Sequence, residues 1–586
     1  MLMKCLINRL VTALSPIPLI IGIVGLTSPG VAQTRPGGNI MTVCNPMNLD
    51  YRFTLEGPSR REAADPTAIT FKNEYYLFAS RSGGYWHSKD LSHWDLIKTD
   101  DLPLEDYAPT AVTVGDTVYF MASTTKPGGK IYKSADPKSG KWTVANSDFP
   151  FALTDPDLFL DDDGRLYLYY GCSNVQPIYV VELDRKTLMP MGKSTGLFAG
   201  NPKTYGWERF GDYNERPEKP WLEGAWMTKY KGTYYLQYAS PGTEFKSYSD
   251  GLYTSDKPLG PFKLAANNPF SARPEGFIAG AGHSSTFQDR YGNFWRISTM
   301  SISVKHRWER RLGLFPAFFG PDGRSYTNTA FGDFPFIIPN NKITSLAELF
   351  PDWMLLSYGK PVQVSSELPN HPARQGVDED IRTYWSAATG GPTEWMQIDL
   401  QQPCQINAVQ LNFAEEGATL LGRSADIAYR YKLAYSDDNR TWKSLADKSA
   451  NRQDAPHDYL AFAAPVRARY LRVTNGHTPS GQFALSDFRV FGKSPDKLPA
   501  PVTNLSVVRD KADPCIVTLT WPKSEGSVGY TIRYGTAPNQ LQHTYQVFGV
   551  NSLVIRSLNR DESYYFTVDS FNGRGITAGA KPLRIP

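Results

Sequence analysis

Ala64-Asp65-Pro66-Thr67-Ala68-Ile69, with Tyr75-Tyr76-Leu77 ten residues after Asp65, opens a pattern that returns four times. Ala108-Pro109-Thr110-Ala111-Val112 is followed by Val118-Tyr119-Phe120, and Thr154-Asp155-Pro156-Asp157-Leu158-Phe159 by Leu166-Tyr167-Leu168. Leu222-Glu223-Gly224-Ala225-Trp226-Met227 is followed by Thr233-Tyr234-Tyr235, and Gly282-His283-Ser284-Ser285-Thr286-Phe287 by Asn293-Phe294-Trp295. From Asp65 to Thr110, and again from Thr110 to Asp155, the step is 45 residues; the next steps, to Glu223 and to His283, are 68 and 60 and carry insertions. Strand-rich repeats of this length read as the blades of a five-bladed β-propeller. Because blades are radial, equivalent positions of successive blades converge on the axial mouth.

Three of the five openings carry a carboxylate: Asp65, Asp155 and Glu223. Hydrolysis of a glycosidic bond needs one carboxyl group to protonate the leaving oxygen and another to activate water or attack directly. An Asp-Pro pair is also a common turn or strand entry, so Asp65 or Asp155 alone would say little. The coincidence of three carboxylates at one blade position is what points to chemistry. Asp157 rivals Asp155, since residues two apart on a strand share a face. Asp161-Asp162-Asp163-Gly164 reads as a solvated hairpin turn.

The chain has 586 residues, which predicts about three domains. Aromatic residues make up 13%, a composition that suits strands and sugar-stacking surfaces. Met1 to Gln33 holds Lys4 and Arg9, an apolar run from Ile17 to Leu26 and a Gly30-Val31-Ala32 end, and residues 1–32 read as a secretory signal peptide. The expected location is exported, periplasmic or extracellular, with no membrane span. The formal charge of +4 falls to +2 without Lys4 and Arg9, too little to argue for nucleic acid. Cys44, Cys172, Cys404 and Cys515 show no metal-ligand spacing; Cys44 and Cys172 are either a bridge or two buried thiols.

After about residue 345 the texture changes. Gly376-Val377-Asp378-Glu379, Thr383-Tyr384-Trp385-Ser386, Trp395-Met396-Gln397-Ile398-Asp399-Leu400, Tyr431-Lys432-Leu433-Ala434-Tyr435-Ser436, Ala468-Arg469-Tyr470-Leu471-Arg472-Val473 and Leu485-Ser486-Asp487-Phe488 alternate as strands do. In that order, over 357–493, they resemble the discoidin-like coagulation factor 5/8 type C domain, a β-sandwich (jelly roll) that includes carbohydrate-binding modules of family 32. Ser494 to Pro501 reads as a stiff proline-rich linker. Residues 499–586, with Trp521, Tyr530-Thr531-Ile532-Arg533-Tyr534 and Tyr564-Tyr565-Phe566-Thr567-Val568, resemble an immunoglobulin-like fibronectin type III sandwich with Tyr564 at a tyrosine corner, expected to be a passive spacer. The whole chain is therefore expected to be all-β.

The first domain, 45–345, resembles glycoside hydrolase family 43. Ala64-Asp65-Pro66 matches the family's general-base motif, Asp155 its residue that tunes and orients the acid, and Glu223-Gly224 its general acid. Ser88-Lys89-Asp90-Leu91-Ser92-His93-Trp94 matches a first-blade signature. The acid motif reads Glu-Gly-Ala where the family more often has Glu-Gly-Pro. The resemblance implies that His283 faces the axial channel and holds water or a calcium or sodium ion; no cofactor is required for the chemistry. Trp207, Arg209 and Trp221, in the insertion before the acid, and Trp86 in Tyr85-Trp86 are candidate sugar-binding residues. The expected enzyme is a secreted, inverting, exo-acting glycosidase of polysaccharide or oligosaccharide side chains, α-L-arabinofuranosidase first and β-xylosidase or exo-galactosidase next. A non-catalytic glycan-binding propeller is the alternative from another class. Sucrose- and fructan-cleaving propellers fit poorly, because their openings are of the N-D-P-N and E-C types.

Overall fold

The computed structural model of the chain describes residues 40–586 apart from 105, 106 and 425. The signal-peptide segment lies outside the described residues. Five four-stranded antiparallel sheets, each contiguous in sequence, follow one another. Their innermost strands are Ala64–Phe71, Thr110–Val114, Asp157–Leu160, Glu223–Tyr230 and Ala279–Gln288. Each blade buries its faces against its neighbours. Phe78, Tyr85, Phe120 and Trp142 pack between blades one and two, and Tyr169, Trp207, Met227 and Leu236 between three and four.

The ring is knitted by polar bonds between neighbouring inner strands. Thr67 Oγ1 donates to Pro109 O (2.7 Å), Leu158 N to Thr110 Oγ1 (3.1 Å) and Met227 N to Asp157 Oδ2 (2.7 Å). Trp226 Nε1 donates to Thr286 O (3.1 Å), and Ala68 N to Ser285 Oγ closes the circle (2.9 Å). No strand is shared between the first and last blades, so the seam is covered by a separate segment. Asn45 brackets it: its Nδ2 donates to Leu314 O and Gly332 O, its Oδ1 accepts from Leu314 N, and Met47, Leu49 and Tyr51 are buried between the two blades.

At every blade opening the backbone turns through the left-handed region, with φ of +53° at Asp65, +46° at Ala108, +49° at Asp155, +63° at Gly224 and +39° at His283. Strand register slips at the openings of blades one, four and five, the signature of β-bulges that redirect side chains. Such backbone costs about 1–3 kcal/mol per non-glycine residue, and its recurrence at one level of the ring marks that level as built for a purpose. In blade four the left-handed residue is glycine and the acid precedes it. A Cβ at Gly224 would lie 2.6 Å from His283 Cγ, so Gly224 satisfies both the backbone and the close approach of the ring.

The second domain is an eight-stranded antiparallel assembly around Trp385, Met396, Ile406, Leu411, Phe413, Leu433, Leu471 and Phe488. Its first strand, Met354–Leu355, pairs with Phe491 and Gly492. The third domain sets a sheet of Ser506–Arg509, Val517–Thr520 and Ser552–Ile555 against one centred on Gly529–Gly535 and Tyr564–Asn572. Trp521 is in its core, and Tyr564 Oη accepts from Asn559 N (2.9 Å), the expected corner.

Two expectations about the third domain need correction. The proline-rich segment is not an extended spacer: Ser494 N donates to Gly573 O and Ala500 N to Glu525 O, which lays it along the domain it precedes. Nor does that domain hang free of the propeller. Gly206 N donates to Leu558 O and Arg560 N to Thr204 O, and Arg209 forks onto both Asp513 oxygens at 2.6 and 3.1 Å. A Cβ at Gly206 would meet Arg556 O at 2.2 Å, so only glycine allows this approach.

The second domain is bound still more tightly. Arg61 of the propeller, fully buried, meets Glu415 (2.8 Å) and both oxygens of Asp454, while Arg489 of the second domain reaches Glu379 and Asp333 O (2.6 Å each). Phe334, Phe491 and Phe571, one from each domain, share an apolar cluster with Cys44, Met354 and Leu355.

Candidate active site

Asp65, Asp155, Glu223 and His283 meet at the mouth of the ring. Asp65 is buried, and its Oδ2 accepts from Ser80 Oγ at 2.6 Å, while Arg310 Nη1 lies 3.2 and 3.4 Å from its two oxygens. His283 Nδ1 stands 3.3 Å from Asp65 Oδ1 and 3.7 Å from Asp155 Oδ2. Asp155 Oδ2 also accepts from Gly224 N at 3.1 Å, which places it beside the acid. Glu223 is half-buried; Cys172 Sγ donates to its Oε2 at 3.1 Å and Tyr248 Oη to its Oε1.

These environments separate the carboxyl groups. Burial pushes the Asp65 carboxyl up, but Arg310, His283 and Ser80 together hold it below the usual carboxylate range. Asp155 is pushed up to about 7 by burial, and Glu223 and Asp65 add to the rise against the opposing pull of His283 and Gly224 N–H. The oxygens of Asp155 and Glu223 and the Cys172 sulfur lie within 4.8 Å of one another. The neighbouring Glu223 thus opposes ionisation of Asp155, as closely spaced carboxyl groups do. Tyr248 stays a phenol, since burial and then Glu223 raise its pKa well above the ordinary value, and Cys172 stays a thiol for the same reasons. The site thus holds one carboxyl group kept below the usual range at Asp65 and one raised to about 7 at Asp155 beside Glu223, the kind of separation that general acid–base hydrolysis uses.

Asp155→Asn removes one member of that pair. The charge beside Glu223 is then absent, and the alkaline limb of the pH–rate profile is expected to move to lower pH. A limb that stays in place with full activity assigns Asp155 to structure.

The implied calcium ion does not fit the residues around His283. Burial opposes protonation of the ring, but Asp65, Asp155, Glu223 and Asp250 outweigh it and raise the pKa. Oxygens of Asp65 and Asp155 already stand against its Nδ1, so the ring takes the place a cation would occupy, whereas calcium takes six to eight oxygens.

Asp157 is separate from the site. Its buried carboxyl accepts from Met227 N and ties blade three to blade four, with burial raising its pKa to about 8. Asp161 is not the solvated turn residue expected: it is buried and holds Lys229 and Tyr234, again across that seam. In the first-blade signature, Asp90 Oδ1 accepts from Ser92 N and His93 N and Trp94 is in the core, a structural role.

Three of the four expected sugar-binding residues are placed elsewhere. Trp86 is fully buried against Tyr51, and Trp207 is buried against Tyr238. Arg209 is committed to Asp513. Trp221 alone, 42% exposed and two residues before the acid, stands where a sugar ring can stack. Tyr107 and Trp308, both partly exposed with ring centroids 5.6 Å apart, add an aromatic pair on the side of Asp65. Arg310, Tyr248 and Cys172 were not legible as site residues, because none lies at a blade opening. The four cysteines among the described residues are free; Cys44 lies at the junction of the domains and Cys172 beside Glu223.

Residues 59–324 match the family described as Glycosyl hydrolases family 43, and residues 361–487 match the F5/8 type C domain. A Butyrivibrio fibrisolvens protein named xylosidase/arabinosidase is 26% identical over 277 residues, 41% of this chain and 50% of that one. An Aspergillus niger protein named beta-D-galactofuranosidase is 25% identical, covering 42% of this chain and 76% of its own. A Bacteroides ovatus protein named non-reducing end alpha-L-arabinofuranosidase is 24% identical, covering 44% and 50%. The matched region thus spans half the length of the first and third of these relatives.

Proposed function

From a chain that carries a family 43 glycosyl hydrolase domain at 59–324 and an F5/8 type C domain at 361–487, we infer an exported, exo-acting glycosidase that removes terminal sugars from polysaccharide side chains with inversion. α-L-Arabinofuranosides are the first choice of substrate, with β-xylosides and galactosides next; the names of the relatives support this set without choosing within it. The observation that carries the reading is the meeting of Asp65, Asp155 and Glu223 at His283, with opposite shifts on the two aspartates.

Glu223 donates its proton to the leaving oxygen, Asp65 takes one from water, and Arg310 and Ser80 keep Asp65 ionised and in place. A binding-only propeller has no use for two aspartates shifted in opposite directions at one site, which disfavours the lectin reading. The two-sheet order and the Tyr564 corner support a fibronectin type III assignment for the third domain.

The test is hydrolysis of p-nitrophenyl α-L-arabinofuranoside, β-D-xyloside and β-D-galactofuranoside, with the anomer released followed by NMR. Turnover of one of them with inversion supports the reading. No turnover of these or of arabinan and xylan oligosaccharides, with glycan binding retained, supports the lectin alternative.

A further inference from the structure

We propose that the second domain sets the geometry of the catalytic pair, with Arg382 as a positioning residue that acts through the Thr243–Tyr248 loop. The proposal rests on the acid and base roles given above to Glu223 and Asp65.

The loop at 378–383 reaches out of the second domain and inserts into the propeller. Ile381 is buried among Phe277, Ile278, Ala281, Met300 and Ile302, and its N–H donates to Phe277 O at 2.9 Å. Ala281 is two residues from His283. Beside it, Arg382 Nη1 donates to Asp212 Oδ2 at 2.7 Å and Nη2 to Glu244 O at 3.2 Å. Asp212 passes the contact on, because its Oδ1 accepts from Lys246 N at 2.8 Å; Lys246 Nζ in turn lies 3.6 Å from Asp380. One arginine and one aspartate from the second domain therefore grip the loop at Glu244 and Lys246.

That loop carries a partner for each half of the catalytic pair. Tyr248, at its end, donates to Glu223 Oε1. Thr243, at its start, has its Oγ1 3.3 Å from Arg310 Nη1, the same nitrogen that holds Asp65. Within the loop the order is local and slight: Phe245 N to Gly242 O at 3.2 Å and Tyr248 N to Phe245 O at 3.1 Å. The propeller adds Ser247 Oγ donating to Gly211 O at 2.7 Å and Ser301 Oγ donating to Thr243 O, so Arg382 supplies the hold at the middle of the loop. A displacement of Tyr248 by a fraction of an ångström reorients the acid, and misplacement on that scale is costly in rate. Arg382 is well suited to the task, since a planar fork fixes direction where a lysine would fix only distance.

The tip of the arm is itself braced. Thr383 Oγ1 bonds both Asp378 oxygens at 2.9 and 2.7 Å, and Glu379 is held by Arg489 and by Asp487 Oδ2, which accepts from Glu379 N. The arm thus transmits the rigidity of the sandwich core to the mouth of the ring.

The test compares full-length wild type with Arg382→Ala, Arg382→Lys and Asp212→Asn. Rates are measured on paired glycosides, one with a leaving group that departs unprotonated and one that needs the acid, and amide exchange is followed across 241–248. Arg382→Ala is expected to lower kcat roughly 10-fold on the acid-dependent substrate and less than about 3-fold on the other, with KM little changed. Arg382→Lys should recover part of the loss, and Asp212→Asn should show the same split. Exchange at 241–248 should quicken while blades two and three stay as they were. Equal loss on both substrates, or unaltered exchange at 241–248, overturns the proposal. Should the wild type cleave no glycoside, the proposed function fails, and the exchange measurement alone still decides whether Arg382 orders the loop.

Discussion

Glu223→Gln is expected to lower kcat on natural linkages by roughly 10²–10⁴-fold, the usual worth of a general acid, while sparing glycosides whose leaving group needs no proton. Glutamine is nearly isosteric and can still meet Tyr248 and Cys172, so the loss reports the proton and not the packing. Asp65→Asn gives the contrast. Water must be activated whatever the leaving group, so that variant should be inactive on both classes of substrate. The asparagine would also leave Arg310 with Glu62 as its one remaining carboxylate partner, which makes a check of thermal stability part of the measurement. If Glu223→Gln loses equally on both classes, Glu223 is not the acid.

The second large effect concerns the domain boundary. A chain ending near Phe350 retains every proposed catalytic residue, yet it is expected to yield no soluble, cooperatively folded propeller. Arg61 would lose both Glu415 and Asp454, and Arg311 would lose His457. The cut thus removes a large polar interface from a domain whose whole stability is only about 5–15 kcal/mol. The same cut uncovers Phe277, Ile302 and Phe334. Asp454→Ala in the full chain is the milder form of the experiment, with a clear fall in melting temperature expected. A monomeric fragment with a single sharp melting transition and full activity on aryl glycosides would refute this account. It would also make the second domain a detachable module.

The convergence of four side chains was legible because they share a structural address. Asp65, Asp155, Glu223 and His283 stand at or beside the left-handed residue that opens a blade, and a repeat period brings such positions together whatever their separation in sequence. Residues without that address stayed hidden. Tyr248 lies just before the third strand of its blade, Arg310 opens the third strand of blade five, and Arg382 belongs to another domain. Trp86 and Trp207 were misread because an aromatic close in sequence to a catalytic motif points as readily into the seam between blades as into the mouth. The linker misled for a related reason: proline content limits backbone freedom, but it does not say whether a neighbouring surface is waiting for the segment. Interfaces between domains are made of scattered arginines and phenylalanines, and no local pattern announces them.

The bracket formed by Asn45 bears on the order in which this molecule can be assembled. Its bonds to Leu314 span 269 residues, so the part that seals the ring is made early and must wait for the final blade. Until then the first blade presents an open flank, and the growing chain has an unsealed edge of the kind that invites pairing with other chains. Blades two to four can each mature as they appear, since every one is continuous in sequence. Completion is therefore a single late event, and small changes at Asn45 should act on the yield of folded protein more than on the chemistry of molecules that do close.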